Sequence, residues 1–271
     1  VDPIALGRSL RQAFARNQGA VQLRRALHDL AIGGNTLAGR DLSDADLTGA
    51  RLFKADLTDC VLDYASLFAA DLRESKLAGA SMVKTDLRGC HMREADLTGA
   101  QLIDADMREG NIAEKDIRGD LHILQIEVGA SEMQSADFSG ANLSRAKIAG
   151  GQAQNTNFHG ALLRDANLVR TNLKGANFEG ANLEGADLSW ANMEHTSLKN
   201  AILTGATMEM TETRDADMDG VLTDEPLGPT EDDLPASFED LVDQHAAWIA
   251  TGARNGRQLL VDGFDLRTVS A

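Results

Sequence analysis

The sequence predicts an all-β solenoid, a quadrilateral β-helix of about nine coils of about twenty residues each, with small α-helical elements at its two ends. Three observations carry this. From Leu37 to Ile117 a large apolar residue returns at every fifth position, and after a slip of one residue the beat resumes at Ile123 and runs to Met208. It passes Ala153 on the way, and Thr213 fails before Met218. Two residues before each centre stands a small residue, such as Ala45, Cys60, Ala80, Thr156 or Ala186, with Asp or Asn between the two columns. Phe138, Phe158 and Phe178 are the only Phe residues at centres, and they lie at intervals of twenty.

A period of five fits neither a helical stripe near 3.6 nor simple strand alternation. It fits a chain that turns a corner every five residues. In each short strand alternate side chains share a face, so the small and the large residue both point inward and fill a narrow interior. The other three positions face water. If four segments close a turn, residues twenty apart lie about 4.8 Å from each other, and the three Phe rings stack on one wall. Seventeen centres before the slip and 20 register positions after it give about nine coils. Such a rod is roughly 45 Å long.

The segments "ADLTGA", "ANLEGADL" and "ANFEGANLEGADL" resemble the pentapeptide-repeat family, whose signature is A(D/N)LXX. The resemblance covers roughly 185 of 271 residues and implies a right-handed, four-sided β-helix.

In chain order, residues 1–34 read as an N-terminal helical cap. Leu6, Leu10 and Phe14 make one apolar face, Gly19 permits a break, and Leu23, Leu27 and Leu30 make another before Gly33 and Gly34 stop the helix. Covering the open edge of the first coil is its expected task, since a bare edge invites aggregation; a basic helix for a partner is the other reading. The solenoid spans 35–222. Residues 223–236, "TDEPLGPTEDDLP" with its flanking residue, hold three of the four Pro residues and read as an extended acidic linker. In 237–271 a helix starts at Ser237 and stops near Gly252, with Phe238, Leu241, His245, Trp248 and Ile249 on one face as a docking or dimer surface. After it, "LLVDGFDL" sets Val261 and Leu266 five apart like a renewed repeat. The succession of helix, "NGR" and renewed repeat is similar to linkers in proteobacterial pentapeptide-repeat proteins. Either the chain is a piece of a longer repeat protein or this strand caps the last coil.

The net charge of −16 is uneven: residues 1–39 carry five Arg against two Asp, residues 40–222 carry 30 acids against 18 bases, and residues 223–271 carry ten acids against three bases. That balance argues against nucleic acid or an anionic membrane as the direct ligand, since both need a basic face. It suits a basic protein partner, or solubility alone. No run of eighteen apolar residues is present, so no transmembrane segment is expected. The chain begins VDP without a signal-like segment, which together with two unpaired Cys points to the cytoplasm, a removed leader being the other option. Cys60 and Cys90 stand thirty residues apart, on opposite walls, and read as core residues.

The spacings that bring catalytic or metal-binding groups together are missing: no HExxH, GxSxG, GxxxxGK or paired CxxC occurs, and the His residues are scattered. Carboxylates recur because the repeat asks for Asp or Asn before each centre. No enzyme, cofactor or metal is therefore expected. "RGD" at Arg118 to Asp120 joins three common residues and reads as a chance match.

Outward apolar residues are more informative. Tyr64, Val83 and Ile103 follow centres twenty apart, with Phe68 around the next corner, and form one candidate protein interface. Val169, Trp190 and Met210 form a second, which the C-terminal helix could cover through Trp248 and Phe238. The slip in "RGDLHILQIEV", 118–128, separates Ile117 from Ile123 by six residues, and Gly110, Lys115, Leu121 and Ile126 break the small column around it. A one-residue bulge joining two regular blocks is the expectation, with Lys115 snorkelling outward and Leu121 and Ile126 filling the widened interior. A partner site is the other reading. The functional expectation is a non-enzymatic scaffold that shows its walls to a protein partner or a second copy of itself. The family resemblance implies an alternative, since some acidic members mimic DNA and bind type II topoisomerases, inhibiting or protecting them.

Overall fold

The computed structural model describes residues 37–115, 121–224 and 234–259, with backbone alone over 110–128. The helical cap expected in 1–34 lies outside the described residues.

Every five-residue unit makes one short strand and one corner. At the strand, the residue before each centre bridges in parallel to its equivalent twenty residues on: Asp41 to Val61, Asp46 to Ser66, Arg51 to Asp71 and Asp56 to Lys76. Four such ladders give four walls. Wall 1 runs through Leu42 and Leu62, wall 2 through Leu47 and Leu67, wall 3 through Leu52 and Leu72, and wall 4 through Leu57 and Leu77. As far as Leu203 each centre N–H donates to a carbonyl one coil on, as Leu42 does to Val61 at 2.7 Å. The bridging residue donates one coil back, as Ser66 does to Ala45 at 2.9 Å.

At the corner the next small residue donates to the centre it has just passed, Ala45 to Leu42 at 3.1 Å, closing a four-residue turn. Its third residue is left-handed throughout, from Gly39 at φ 65° to Gly220 at φ 67°. The Asp/Asn column serves this corner. The Asp41 carboxylate accepts from Ser43 N–H at 3.0 Å, and Asn142 and Asn192 accept likewise from Ser144 and Glu194. Part of the acidity is thus architectural.

Inside, centres from Leu57 to Leu198 have no exposed surface. The small column packs between them, and its Thr and Cys side chains donate to a carbonyl 23 residues back, as Thr85 does to Leu62, Cys90 to Leu67 and Thr156 to Met133, each at 2.8 Å, whereas the Ser75 hydroxyl turns to the Leu72 carbonyl of its own coil at 2.6 Å. At Gly151 a Cβ would lie 2.7 Å from the Met133 methyl and 2.9 Å from the Ile148 carbonyl, so nothing larger fits. The Phe rings stack as their spacing predicts, with centroids 5.3 Å apart for Phe138 and Phe158 and 4.7 Å for Phe158 and Phe178.

The slip has a different origin from the one expected. Bridges span 20 residues on either side of it but 41 across it, from His91 to Glu132 and from Asp106 to Lys147. Twenty-one residues therefore leave the coil, and because 21 exceeds a multiple of five by one, the count slips by one. They form an antiparallel hairpin of β1 (Gly110–Lys115) and β2 (Leu121–Val128). Gly110, Ile112, Lys115, Leu121, Ile123, Ile126 and Val128 are strand residues of this hairpin, outside the coil, and not column positions. Ile117 and the "RGD" triplet lie outside the described residues. Among the described residues the ladders count nine rungs on wall 1 and eight on each of the others, just over eight coils, and the hairpin takes up the length of one more.

The coil stays closed across the hairpin. The Arg145 guanidinium donates twice to the Asp104 carboxylate, at 2.8 and 2.9 Å, over 41 residues, and the Ser131 hydroxyl reaches the Leu87 carbonyl at 3.1 Å. Beyond the solenoid, α1 (Phe238–Ala250) is capped by the Ser237 hydroxyl, which accepts from Asp240 N–H at 3.1 Å, with Glu239 and Asp240 in the favourable first turn. The chain then doubles back along α1: Ala253 N–H donates to the Trp248 carbonyl, Arg257 N–H to that of Gln244, and Leu259 N–H to His245 Nδ1 at 3.1 Å. Gly256 makes the close approach, since a Cβ there would run into the Gln244 carbonyl.

Candidate protein-binding surface

Each corner offers two side chains, and the backbone treats them differently. The first, just after the centre, ranges from buried at Phe68 to exposed at Phe53. The second sits on the left-handed residue and projects. Val83, Ile103 and Val169 occupy first positions and are half-buried. Phe68, also a first-position residue, is only 2 % exposed, with the Arg88 guanidinium 5.4 Å above its ring and held there by Asp86 at 2.6 Å. It is a core residue at a corner, so its expected place in an interface is corrected.

Tyr64, Trp190 and Met210 occupy second positions and are 57, 55 and 71 % exposed, at φ 60°, 61° and 54°. Trp190 and Met210 follow one another on the corner between walls 2 and 3; Tyr64 stands alone on the corner between walls 1 and 2, with Lys84 5.6 Å above its ring. The C-terminal helix does not cover the second patch: no residue of α1 is buried, and Ile249 is largely exposed. His245 and Trp248 stack on each other, with centroids 5.7 Å apart. Phe238 and Leu241 lie on the same helix.

Two outward features escaped the sequence reading. Leu162, Ile202 and Leu222 take the bridging position on wall 1 where the repeat asks for Asp or Asn, and Leu162 and Leu222 are exposed. Their signal was an apolar residue at a polar register position. Phe53 is exposed at a first position, flanked by Lys54 at 4.9 Å and Arg73 at 5.7 Å.

Electrostatically the surface is patched with pairs. On wall 2 an open cleft is lined by Lys84, Asp86, Arg88, Asp104, Asp106 and Lys147, and each carboxylate is tied to a guanidinium: Asp86 to Arg88, Asp106 to Arg108 and Asp104 to Arg145. The Arg145 hydrogen bonds hold the Asp104 carboxyl below the usual carboxylate range. Those of Arg73 do the same for Asp71, and that of Lys174 for Glu194. Carboxylates so held stay ionised and are poor proton donors at neutral pH. Burial pushes both Cys60 and Cys90 thiols up, away from the nucleophilic thiolate. Among the described residues no group of three His, Cys, Asp or Glu could hold a metal ion, and no helix is long and apolar enough to cross a membrane. What the surface can do is offer shape, charge pairs and a few projecting apolar side chains.

The profile for pentapeptide repeats, in eight copies, matches residues 41–77, 70–108, 136–180, 154–189 and 181–220. The chain belongs to the pentapeptide-repeat family. Members of the family form right-handed quadrilateral β-helices, the architecture described above. The profile passes over 109–135, where the hairpin leaves the coil.

Several solved pentapeptide-repeat proteins are similar to it. HetL, involved in heterocyst differentiation regulation in the cyanobacterium Nostoc sp. strain PCC 7120, is 30 % identical, with 70 % of this chain and 85 % of HetL covered and a TM-score of 0.26. A protein from the Arabidopsis thaliana thylakoid lumen is 31 % identical over 42 % of this chain and 74 % of its own, with a TM-score of 0.33. QnrB1, a plasmid-mediated fluoroquinolone resistance protein, is 18 % identical over 70 % of this chain and 90 % of its own, with a TM-score of 0.38. No curated protein matches the chain.

Proposed function

We propose that the protein is a non-enzymatic binding scaffold that presents the corners of its β-helix to a protein partner. Trp190 carries the reading. Left-handed backbone costs a residue with a Cβ roughly 1 kcal/mol or more, and glycine avoids that cost. The equivalent place on the same corner holds Gly49, Gly89 and Gly150, or the small or charged Ala69 and Arg170, and no other large apolar residue than Met210. A Trp there that is 55 % exposed recovers little by burial. Met210 repeats the departure one coil on. Exposed aromatic residues of this kind supply much of the binding energy of protein interfaces. A photo-crosslinking residue at position 190, used in the native host, is expected to capture one discrete protein that the same residue at His159, on a different corner, does not. Capture of nothing from positions 190, 210 and 64 would falsify the reading.

A second reading is favoured by the net acidity: the rod stands in for duplex DNA on a type II topoisomerase and inhibits or protects it. Magnitudes count against it. Residues 40–222 carry 30 acids and 18 bases, a net of −12. A duplex as long as eight coils, about 40 Å, carries roughly 23 phosphates. The rod has about half that charge density, and many of its carboxylates are paired. Unchanged gyrase supercoiling at micromolar protein removes this reading; inhibition or protection at that level restores it.

A further inference from the structure

The last coil of the solenoid is open. Leu188, Met193 and Leu198 are fully buried, yet Met208 and Met218, one coil on, are only partly so, and Thr213 between them is exposed. The N–H groups of Leu188, Met193 and Leu198 donate to Thr207, Glu212 and Asp217 at 2.7 to 2.8 Å. Those of Met208, Thr213 and Met218 meet no acceptor among the described residues. An apolar, half-open coil whose donors have no acceptor among the described residues is a template for another strand.

We propose that residues 259–271 of this same chain are that strand: they form the next rungs on the open coil, and residues 224–258, α1 included, are a second excursion from the solenoid. "LLVDGFDLRTVSA" keeps the five-residue register, with Val261, Leu266 and Ala271 at centres and Asp265 and Ser270 at bridging positions. The hairpin supplies the rule for re-entry. There the chain leaves after wall 2, at Met107, and returns on wall 3, at Met133, as though no residue had intervened. Here it leaves after wall 1, where the Asp224 carboxylate accepts Gly205 N–H at 2.9 and 3.1 Å. Re-entry on wall 2 sets Val261 over Met208, Leu266 over Thr213 and Ala271 over Met218.

Phe264 then stands in the small column, larger than the Ala usual there. It does so beside Thr213, where the coil has lost its large centre. The Leu259 N–H bond to His245 ties the returning strand to α1, so the helix is held at the same corner from which the chain left. A second copy stacked end to end would cover the same coil, and the test separates the two occupants.

On wall 3 the assigned register makes Glu212 and Asp265 bridge neighbours, about 4.8 Å apart and within disulfide reach. The double variant Glu212→Cys, Asp265→Cys in the full chain is expected to oxidise to a faster-migrating monomer on a non-reducing gel. The pair Asp217→Cys, Asp265→Cys, which a shift by one wall would bring together, is expected to stay reduced. A disulfide between chains, no disulfide at all, or oxidation of the second pair alone each overturns the proposal. Hydrogen exchange on the unsubstituted protein gives an independent reading. The amides of Met208 and Thr213 exchange as slowly as that of Leu188 if the strand is there, and at the rate of free peptide if it is not.

Discussion

The corner between walls 1 and 2 and the corner between walls 2 and 3 each offer a first and a second turn position, and on both corners the two positions hold their apolar residues in opposite ways. Phe68, Val83, Ile103 and Val169 stand first after a centre and are drawn against the coil. Tyr64, Trp190 and Met210 stand second, on left-handed residues, and point away from it. On these two corners a shift of one residue in register therefore separates a ring that stabilises the rod from one free for a partner, whereas Phe53, at a first position on the corner between walls 3 and 4, lacks the cover that Arg88 gives Phe68 and stays exposed. Spatial stacking, which groups Phe68 with Tyr64, is a poorer guide than position within the turn.

That contrast can be broken by substitution. Phe68→Ala removes a buried ring and is expected to cost about 3 kcal/mol by urea denaturation, with crosslinking through position 190 unchanged. A smaller loss should come from acid. Asp71 and Asp104 titrate below their ordinary range because of Arg73 and Arg145. The stability they lend is full above the unfolded-state value of about 3.9 and is lost as pH falls through the lowered folded value. Urea midpoints should drop between neutral pH and the acid range, and Asp104→Asn should flatten part of that slope. Trp190→Gly is expected to do the reverse of Phe68→Ala, raising stability by roughly 0.5 to 1 kcal/mol by relieving the left-handed backbone while losing the partner captured through position 210. A loss of stability in that variant would mean Trp190 packs as Phe68 does, and the distinction would fall. Deleting 110–130 joins Glu109 directly to Ser131 and restores an unbroken count of five; the midpoint is expected to move by less than about 1 kcal/mol, since loop closure costs little with length.

The core was legible residue by residue because it obeys two periods at once. Five names the centres and the small column, and twenty stacks Phe138, Phe158 and Phe178. The hairpin was not legible, because Ile112, Ile123 and Val128 fall on the beat by coincidence and a 21-residue excursion differs from a one-residue bulge only by multiples of five. Strand alternation in "LHILQIEV" was the competing signal, and it belonged to a true strand pair. At the surface, outward residues could be placed by register. Their burial could not be read, because it depends on turn position and on covering groups such as Arg88 above Phe68. Leu162 and Leu222 went unnoticed since the bridging position was treated as a polar column alone.

The hairpin's seam has one more consequence. On each side of it the ladder pairs residues as though their numbers were consecutive, and Arg145 and Asp104 rivet the two coils together within one turn of the gap. A coil that closes so fully around an interruption is indifferent to what the interruption contains. The corner behaves as a port: foreign sequence enters and leaves through two neighbouring residues, and the lattice of walls on either side keeps its addresses.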